Sequence, residues 1–115
     1  MPDENSAARS PIGYQILLAL AGRDRHGYLI RKAVEQQTDG EMRLGPGTLY
    51  AALRRLEDAG LIEESSWRPD ADLDDPRRRY YRLTTSGRAA VEAETTRLHA
   101  TVKLALKQLG IRPAR

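Results

Sequence analysis

The segment that most restricts the fold is residues 44–62, in which a helix is bounded by glycine on both sides. Pro46 stands between two glycines and has a fixed backbone angle that suits a first helical turn. Four apolar residues then recur at the spacing that places side chains on one helical face: Leu49, Ala52, Leu53 and Leu56. Gly60 ends this glycine-bounded helix because glycine adopts the left-handed conformation without strain, and a β-rich run follows directly.

The outward face of the glycine-bounded helix suits contact with DNA. Ala51 lies nearly opposite the apolar stripe, with Arg54 and Arg55 on either side of it and Thr48 and Tyr50 at the edges. A small residue between two arginines allows close approach to a major groove, where guanidinium groups bridge guanine edges or bind phosphates. Taken alone, the helix is explained better as an ordinary solvated amphipathic helix. The elements predicted on either side of it favour DNA contact instead.

Two further helices are predicted before this segment. Ser10 and Pro11 start the first, which is apolar nearly all round, and Gly22 ends it. The second covers about residues 29–40, and His26 precedes it as a cap or turn residue. Because only a short link joins the second helix to the glycine-bounded helix, these two are expected to form a helix-turn-helix pair.

A β-hairpin is predicted after the glycine-bounded helix, because two short β-rich runs at residues 61–67 and 78–83 flank a polar connection. Three consecutive arginines, Arg77, Arg78 and Arg79, concentrate positive charge at its second strand. Such a run usually marks a solvated strand edge that discourages aggregation. Beside a DNA-contacting helix, it is also typical of a wing that binds phosphates or the minor groove. The loop tip is acidic, so DNA contact is expected near the arginines.

A long last helix is predicted from the capping cluster at residues 84–86 to just before Gly110. At 1.5 Å per residue it is roughly 35 Å long, so its far end should project from the domain. Its apolar stripe continues into that far end, where a monomer would expose it to water. Burial of that stripe against a twofold-related copy would remove it from water. The residues assigned to the dimer interface are Val91, Leu98, Val102, Ala105 and Leu109.

Composition limits the classes of protein to which the chain can belong. Its 115 residues and 40% hydrophobic content suffice for one compact domain plus a projecting element. The net charge is only +3, so the basic residues act through local clusters. Cysteine is absent, which excludes disulfides and thiolate metal sites and suits a reducing cytosol. No apolar run reaches membrane-spanning length and no signal-peptide core is present, so we expect a soluble cytoplasmic protein.

Residue patterns typical of catalysis are not found in the sequence. His26 and His99 lie in different elements and have no metal-ligand partner at helical spacing. There is no nucleophile elbow and no cysteine nucleophile. Residues 45–48 superficially resemble a phosphate loop, but the lysine and the length of that motif are missing. We expect no enzyme activity, no cofactor and no metal, and the sequence assigns no cofactor-binding residue.

Together these elements predict a mainly α (α+β) fold, a winged helix-turn-helix with a two-stranded wing and a long C-terminal dimerisation helix. A DNA-binding domain is expected at residues 10–84, the dimerisation helix at 85–110 and a tail at 111–115. Residues 1–9 are expected to form a disordered tail because they offer almost nothing to bury.

The order and spacing of several motifs resemble those of PadR-family bacterial transcriptional regulators. The motifs occupy residues 16–20, 26–28, 46–56, 60–62 and 78–84, and the match extends over about residues 12–90. The resemblance implies a dimeric DNA-binding repressor whose C-terminal helix forms much of the dimer interface, in the subgroup with a single short C-terminal helix. Some relatives bind aromatic or drug-like molecules near that interface, so the resemblance allows for a small-molecule effector, although no motif identifies one.

The sequence therefore predicts a homodimeric regulator that binds double-stranded DNA at an inverted repeat. The residues assigned to DNA are Pro46, Gly47, Thr48, Tyr50, Arg54, Arg55, Arg77, Arg78 and Arg79. Two alternatives stay open. A winged helix used only for protein interaction would show no salt-sensitive DNA affinity. A sensor whose primary role is to bind a small molecule would bind that ligand tightly without DNA.

Overall fold

The computed structural model describes residues 4–66 and 78–113 of the chain. Mostly helical elements surround a small antiparallel sheet, as predicted. In chain order they are α1 (Glu4–Arg9), α2 (Pro11–Gly22), β1 (Arg25–His26), α3 (Gly27–Gln37), α4 (Pro46–Asp58), β2 (Ile62–Ser65), β3 (Tyr80–Leu83) and α5 (Thr85–Leu109).

Helix α4 is the glycine-bounded helix, and its limits are those that the sequence predicts. Pro46 occupies its first turn, and Gly60 follows its last turn with a φ of 76°. The carbonyl of Leu44, just before α4, accepts a hydrogen bond of 2.8 Å from Arg31 Nε on α3, which fixes the link between the two helices. The predicted apolar stripe of α4 is buried in the core, which it shares with residues of α2, α3, the sheet and α5.

The sheet contains a third strand that the sequence analysis did not predict. Its order is β1-β3-β2, so β3 lies in the middle and pairs antiparallel with both neighbours. Tyr80 of β3 lies opposite His26 of β1 and Ser65 of β2. A strand of two residues is too short to produce an alternating pattern, so its sequence gives no signal. Since α3 begins at Gly27, directly after β1, this pairing fixes the start of α3 beside β3.

Helix α1 corrects the expectation that residues 1–9 form a disordered tail. Ala8 is fully buried, and the structure packs α1 against α2 and α5. Gly13 of α2 allows the close approach, because a Cβ at that position would overlap the backbone carbonyl of Ala7. The burial involves small alanine side chains at a site created by other helices, which local hydrophobic periodicity does not reveal. Residues 1–3 lie outside the described part of the chain.

Glu94 is a buried carboxylate that joins α1 to α5. Its side chain is only 5% exposed, and Arg9 Nε of α1 lies 3.9 Å from its Oε1. Arg97 donates two hydrogen bonds to it, from Nε to Oε1 at 2.7 Å and from Nη2 to Oε2 at 2.5 Å. The hydrogen bonding by Arg97 lowers the pKa of Glu94 below its ordinary value, against the opposing effect of burial.

The ion-paired form of Glu94 should stabilise the fold in a pH-dependent way. Because its pKa is lower in the folded protein than in the unfolded chain, its contribution is complete above the ordinary carboxyl pKa and disappears as pH falls through the lowered value. We expect Glu94→Gln to reduce the free energy of unfolding at neutral pH, and the difference from wild type to shrink through the acidic range. Urea unfolding at several pH values measures this.

The control for this prediction is Glu92→Gln, on the exposed side of the same helix. It should leave the free energy of unfolding nearly unchanged at each pH. A destabilisation by Glu94→Gln that does not vary with pH would contradict the prediction, since it would reflect altered packing rather than loss of the charge.

The start of α5 is tied to the turn that ends α4. The hydroxyl of Thr84 accepts a hydrogen bond of 3.0 Å from the Gly87 backbone N–H and donates one of 2.6 Å to the carbonyl of Gly60. Gly87 lies so close to the chain entering β2 that a Cβ there would overlap the carbonyl of Leu61. The orientation of α5 relative to α4 is therefore set by direct backbone contact. At its other end, Gly110 caps α5 in the left-handed conformation, as predicted.

Candidate nucleic-acid interface

The outer face of α4 is exposed along its whole length. Every residue of this helix that the sequence assigns to DNA is exposed: Pro46, Gly47, Thr48, Tyr50, Arg54 and Arg55. Ala51 is exposed between them, so the helix can approach another surface closely at its centre. Arg55 also lies in the last turn, where a positive charge complements the negative end of the helix dipole. Its charge can therefore serve stability as well as binding.

Two of the three wing arginines lie within the described residues. Arg78 and Arg79 are exposed just before β3, whereas Arg77 lies outside, together with Trp67 and the acidic loop tip. Arg78 Nη1 lies 3.5 Å from Nε2 of His26. Arg79 lies near enough to Tyr81 to affect the pKa of its hydroxyl. Both arginines thus lie beside aromatic side chains of the sheet.

The Tyr81 hydroxyl keeps its proton at neutral pH. Burial raises its pKa above the ordinary value, and the nearby Glu57 and Tyr50 add to that effect. The guanidinium of Arg79 opposes the shift without cancelling it. Tyr81 is therefore an uncharged neighbour of Arg79.

His26 is a buried side chain at the base of this region, with 5% of its surface exposed. Its ring is perpendicular to that of Tyr80 at a centroid distance of 5.1 Å, and the Tyr28 ring lies nearly parallel to it at 6.2 Å. Lys32 Nζ lies 5.6 Å from the centroid of Tyr28. His26 does occupy the predicted position before a helix, but its contacts with β3 depend on the unpredicted strand β1.

An open cleft of about 480 Å³ joins α3, α4 and β3. Its described lining residues are His26, Gly27, Tyr28, Tyr50, Arg78, Arg79 and Tyr81. A Cβ at Gly27 would lie 3.0 Å from the Tyr50 hydroxyl oxygen, so the absence of a side chain there lets Tyr50 lie against the start of α3. The cleft places the outer face of α4 and the arginines before β3 on the same side of the molecule.

Sequence reasoning assigned no function to His26, Gly27 or Tyr28. For Tyr28 a signal was present, since an aromatic residue stands outside the apolar stripe of its helix and is 55% exposed in the structure. His26 and Gly27 lie near the arginines before β3 only because β1 pairs with β3.

The residues assigned to a dimer interface fall into two groups along α5. Val91 is 4% exposed and packs in the core of its own chain, which corrects its assignment, because a buried side chain is not accessible to a partner. Val102 and Leu109 are 54% and 67% exposed, and Leu98 and Ala105 are partly buried. Side-chain exposure increases along α5 because its first half packs on its own domain and its second half extends beyond that domain.

Membrane-spanning helices and clustered metal ligands are both absent from residues 4–66 and 78–113. None of the helices described there is long and apolar enough to cross a membrane. That part of the chain also contains no group of three or more histidine or carboxylate side chains placed to hold a metal ion. His99 lies exposed on α5, far along the chain from the cleft.

Residues 16–93, more than half of the chain, match the sequence profile of the family described as the transcriptional regulator PadR-like family. This chain belongs to the PadR-like family of transcriptional regulators. The match confirms the resemblance drawn from the motifs. Over 102 residues the chain is also 32% identical to a transcriptional regulator of Mycobacterium tuberculosis, an alignment that covers 89% of this chain and 86% of that protein.

Two other relatives are longer than the part they share with this PadR-like chain. It is 43% identical over 79 residues to an uncharacterized 37.1 kDa protein of a Streptomyces fradiae transposon, which covers 69% of the chain and 20% of that protein. It is 35% identical over 74 residues to an uncharacterized protein of Lysinibacillus sphaericus, which covers 64% of the chain and 65% of that protein. The chain thus spans less than two thirds of either protein.

Solved structures of similar proteins confirm the winged helix-turn-helix fold with a long C-terminal helix. A transcriptional regulator from Clostridium thermocellum superimposes with a TM-score of 0.69 at 30% identity, covering 86% of this chain and 90% of that one. A PadR family transcription regulator from Clostridium difficile gives a TM-score of 0.65 at 30% identity and covers 86% and 95% of the two chains. The predicted fold class is therefore correct for this PadR-like protein.

Proposed function

We propose that this PadR-like protein is a sequence-specific DNA-binding repressor that binds an inverted-repeat operator as a homodimer. The observation that carries the proposal is the cleft at Tyr50, which brings α4 and the arginines before β3 to one side of the molecule. A duplex requires this combination, because base edges are read in a groove while phosphates on either side fix the register.

In this proposal α4 is the recognition helix. Its exposed Ala51 allows the helix to enter the major groove, and Arg54 and Arg55 lie exposed on either side to reach guanine edges. Thr48 and Tyr50, nearer its N-terminus, contact phosphates or base edges. Gly47 has no side chain at the helix start, so the backbone can approach the DNA there, and Pro46 fixes the backbone angle of that turn.

The wing supplies contacts to the DNA backbone. Arg78 and Arg79 stand exposed at the start of β3, and a guanidinium group binds two phosphate oxygens at once. Arg77 is assigned to the same role from its position in the sequence. Phosphate contacts of this kind carry no base information, so the wing sets affinity and orientation while α4 sets sequence preference.

Dimerisation uses the second half of α5. On the side of α5 that carries Leu98, two large apolar side chains are more than half exposed: Val102 at 54% and Leu109 at 67%. Grouped apolar surface of this kind favours a protein partner, and a twofold copy offers the same surface in return. Leu18 of α2 is 39% exposed and is available to complete the interface. Two copies of α4 about 34 Å apart would then read successive major grooves.

Regulation by a small-molecule effector would act through this dimer. A ligand that favours a dimer with the wrong separation of the two α4 helices weakens operator binding without touching α4. The coupling would be reciprocal, so the operator would weaken binding of the ligand by the same factor.

Because α4 is assigned to base edges and the wing to phosphates, arginines on the two elements should have different effects when they are replaced. Arg54→Ala or Arg55→Ala should reduce operator affinity by about 1–3 kcal/mol and relax preference at one base position. Arg79→Ala should weaken binding to all sequences alike and reduce the slope of log affinity against log salt by about 0.9. Competition binding with duplexes selected from a random library, repeated over a range of salt concentrations, measures both quantities.

Arg88→Ala is the matched control, since Arg88 is an exposed arginine on α5 away from α4 and the cleft. It should change neither specificity nor the salt slope. Thermal melting of Arg55→Ala separates any loss of helix stability from a loss of binding.

Two outcomes would contradict this assignment. If Arg54→Ala and Arg55→Ala both keep their sequence preference, α4 does not read bases through these residues. If the wild-type protein shows no salt-sensitive DNA affinity, the alternative of a protein-interaction domain is favoured.

A further inference from the structure

The cleft between α3, α4 and β3 adds a third element to the proposed DNA surface. We propose that it binds one backbone phosphate of the duplex through Tyr28, Tyr50 and Arg79, and that His26 positions Arg78 beside it. This inference rests on the proposed DNA binding and names the part of the duplex that the cleft receives. It brings in α3, to which sequence reasoning gave no contact with DNA.

The chemistry of the lining favours an anion. Two arginines and three tyrosines line the cleft, and none of its described lining residues carries a carboxylate. Guanidinium and phenol groups donate hydrogen bonds to phosphate oxygens, and those from a charged donor are the stronger. The cleft is open to solvent, so it can receive part of a continuous polymer, which an enclosed pocket would not allow.

Tyr28 and Tyr50 bring hydroxyl groups to the cleft from two different helices. The Tyr28 ring lies nearly parallel to the buried His26 ring at 6.2 Å, and Lys32 Nζ adds positive charge 5.6 Å from its centroid. The Tyr50 hydroxyl oxygen reaches the start of α3, 3.0 Å from where a Cβ of Gly27 would lie. Both tyrosines are 55% exposed, so each side chain has surface that is accessible to a ligand.

His26 acts through Arg78 and not on DNA directly. With 5% of its surface exposed and its ring packed perpendicular to that of Tyr80, the imidazole cannot reach a duplex. Its Nε2 lies 3.5 Å from Arg78 Nη1, at the boundary of the cleft. A ring fixed by β1 and β3 thus restrains one end of the Arg78 guanidinium group, which reduces the entropy lost when Arg78 binds phosphate.

The position of the cleft favours a phosphate over a base. In a helix-turn-helix the second helix lies in the major groove while the first crosses the DNA backbone, and here α3 is that first helix. Arg54 and Arg55, which are assigned to base edges, lie one turn or more beyond Tyr50 along α4 and do not line the cleft. The cleft at the start of α3 is therefore at the level of the sugar-phosphate chain.

The test combines changes in the protein with changes in the DNA. A duplex selected from a random library by the wild-type protein is prepared with single phosphates replaced, one at a time, by neutral methylphosphonate. Affinity is measured for wild type, Tyr28→Phe and Arg79→Gln. We expect one phosphate in each half-site where replacement weakens wild-type binding by about 10-fold but weakens Arg79→Gln much less, because the contact is already lost.

The two variants should differ in a second measurement. Tyr28→Phe keeps the ring and removes one hydrogen bond, so it should weaken binding by roughly 3- to 10-fold with an unchanged salt slope. Arg79→Gln removes a charge and should reduce the slope by about 0.9.

The role of His26 is tested by two substitutions. His26→Gln keeps a hydrogen-bond acceptor near Arg78 and should retain more DNA affinity than His26→Leu at equal thermal stability. Combining His26→Leu with Arg78→Gln should cost no more than Arg78→Gln alone.

Each contrary outcome has a distinct meaning. In the first, the protein binds DNA in a way that depends on Arg54, yet wild type loses the same affinity as Tyr28→Phe and Arg79→Gln when any phosphate is replaced. That result would overturn the cleft proposal and leave the proposed function intact. A wild-type protein that binds no duplex at any salt concentration would overturn both. Saturable binding of inorganic phosphate that Arg79→Gln abolishes, without coupling in the duplex, would identify a site for a free anion and also overturn the proposal.

Discussion

Replacing Leu98 and Val102 together by aspartate should convert the protein to monomers or insoluble protein and abolish operator binding. Val102 is 54% exposed and Leu98 is partly buried on the same side of α5. In the proposed dimer these positions lie in the apolar seam, and an unpaired carboxylate buried there costs several kcal/mol per ion. Solution mass by light scattering, followed by binding to a selected duplex, measures both effects.

The matched control places the same charges on the other side of the helix. Thr96→Asp with Ala100→Asp has the same four-residue spacing, and both positions are exposed. This pair should leave the dimer and its affinity intact. Val102→Asp alone tests dissociation with little effect on the monomer fold, because that side chain is more than half exposed. A soluble Leu98→Asp, Val102→Asp dimer with full affinity would show that the interface lies elsewhere.

Gly87→Ala should lower the free energy of unfolding by about 2–4 kcal/mol, even though alanine is usually the better helix former. The added Cβ would overlap the carbonyl of Leu61, and neither backbone can move without disturbing the hydrogen bonds of Thr84. Because this contact sets the orientation of α5, the variant should also dimerise more weakly. Urea unfolding monitored by circular dichroism gives the free energy.

Gly47→Ala is the control for this substitution. Gly47 is also in the first turn of a helix, but a Cβ there would meet nothing within 4 Å. Its free energy of unfolding should stay unchanged or rise by up to about 1 kcal/mol. Equal stability of Gly87→Ala and Gly47→Ala would mean that α5 shifts away from Leu61 at little cost.

Helix α1, strand β1 and the burial of Val91 have one physical cause in common, which is contact with elements distant in sequence. Helix α1 and strand β1 are too short to show a period, and each is stabilised by elements distant in sequence. Ala8 is buried because α2 and α5 cover it, and β1 exists because β3 offers it a free edge. Val91 and Val102 lie on one stripe of α5, yet the first packs in its own core and the second is exposed.

For the candidate site, sequence alone determined the limits of α4 and the exposure of Arg54 and Arg55. Those features depend on interactions within one helix: glycine at its boundaries and an apolar stripe at helical spacing. Only the tertiary structure decided that Tyr28, Tyr50 and Arg79 line one cleft with His26 behind it. That arrangement requires β1 to pair with β3, a contact between residues more than 50 positions apart that no local pattern encodes.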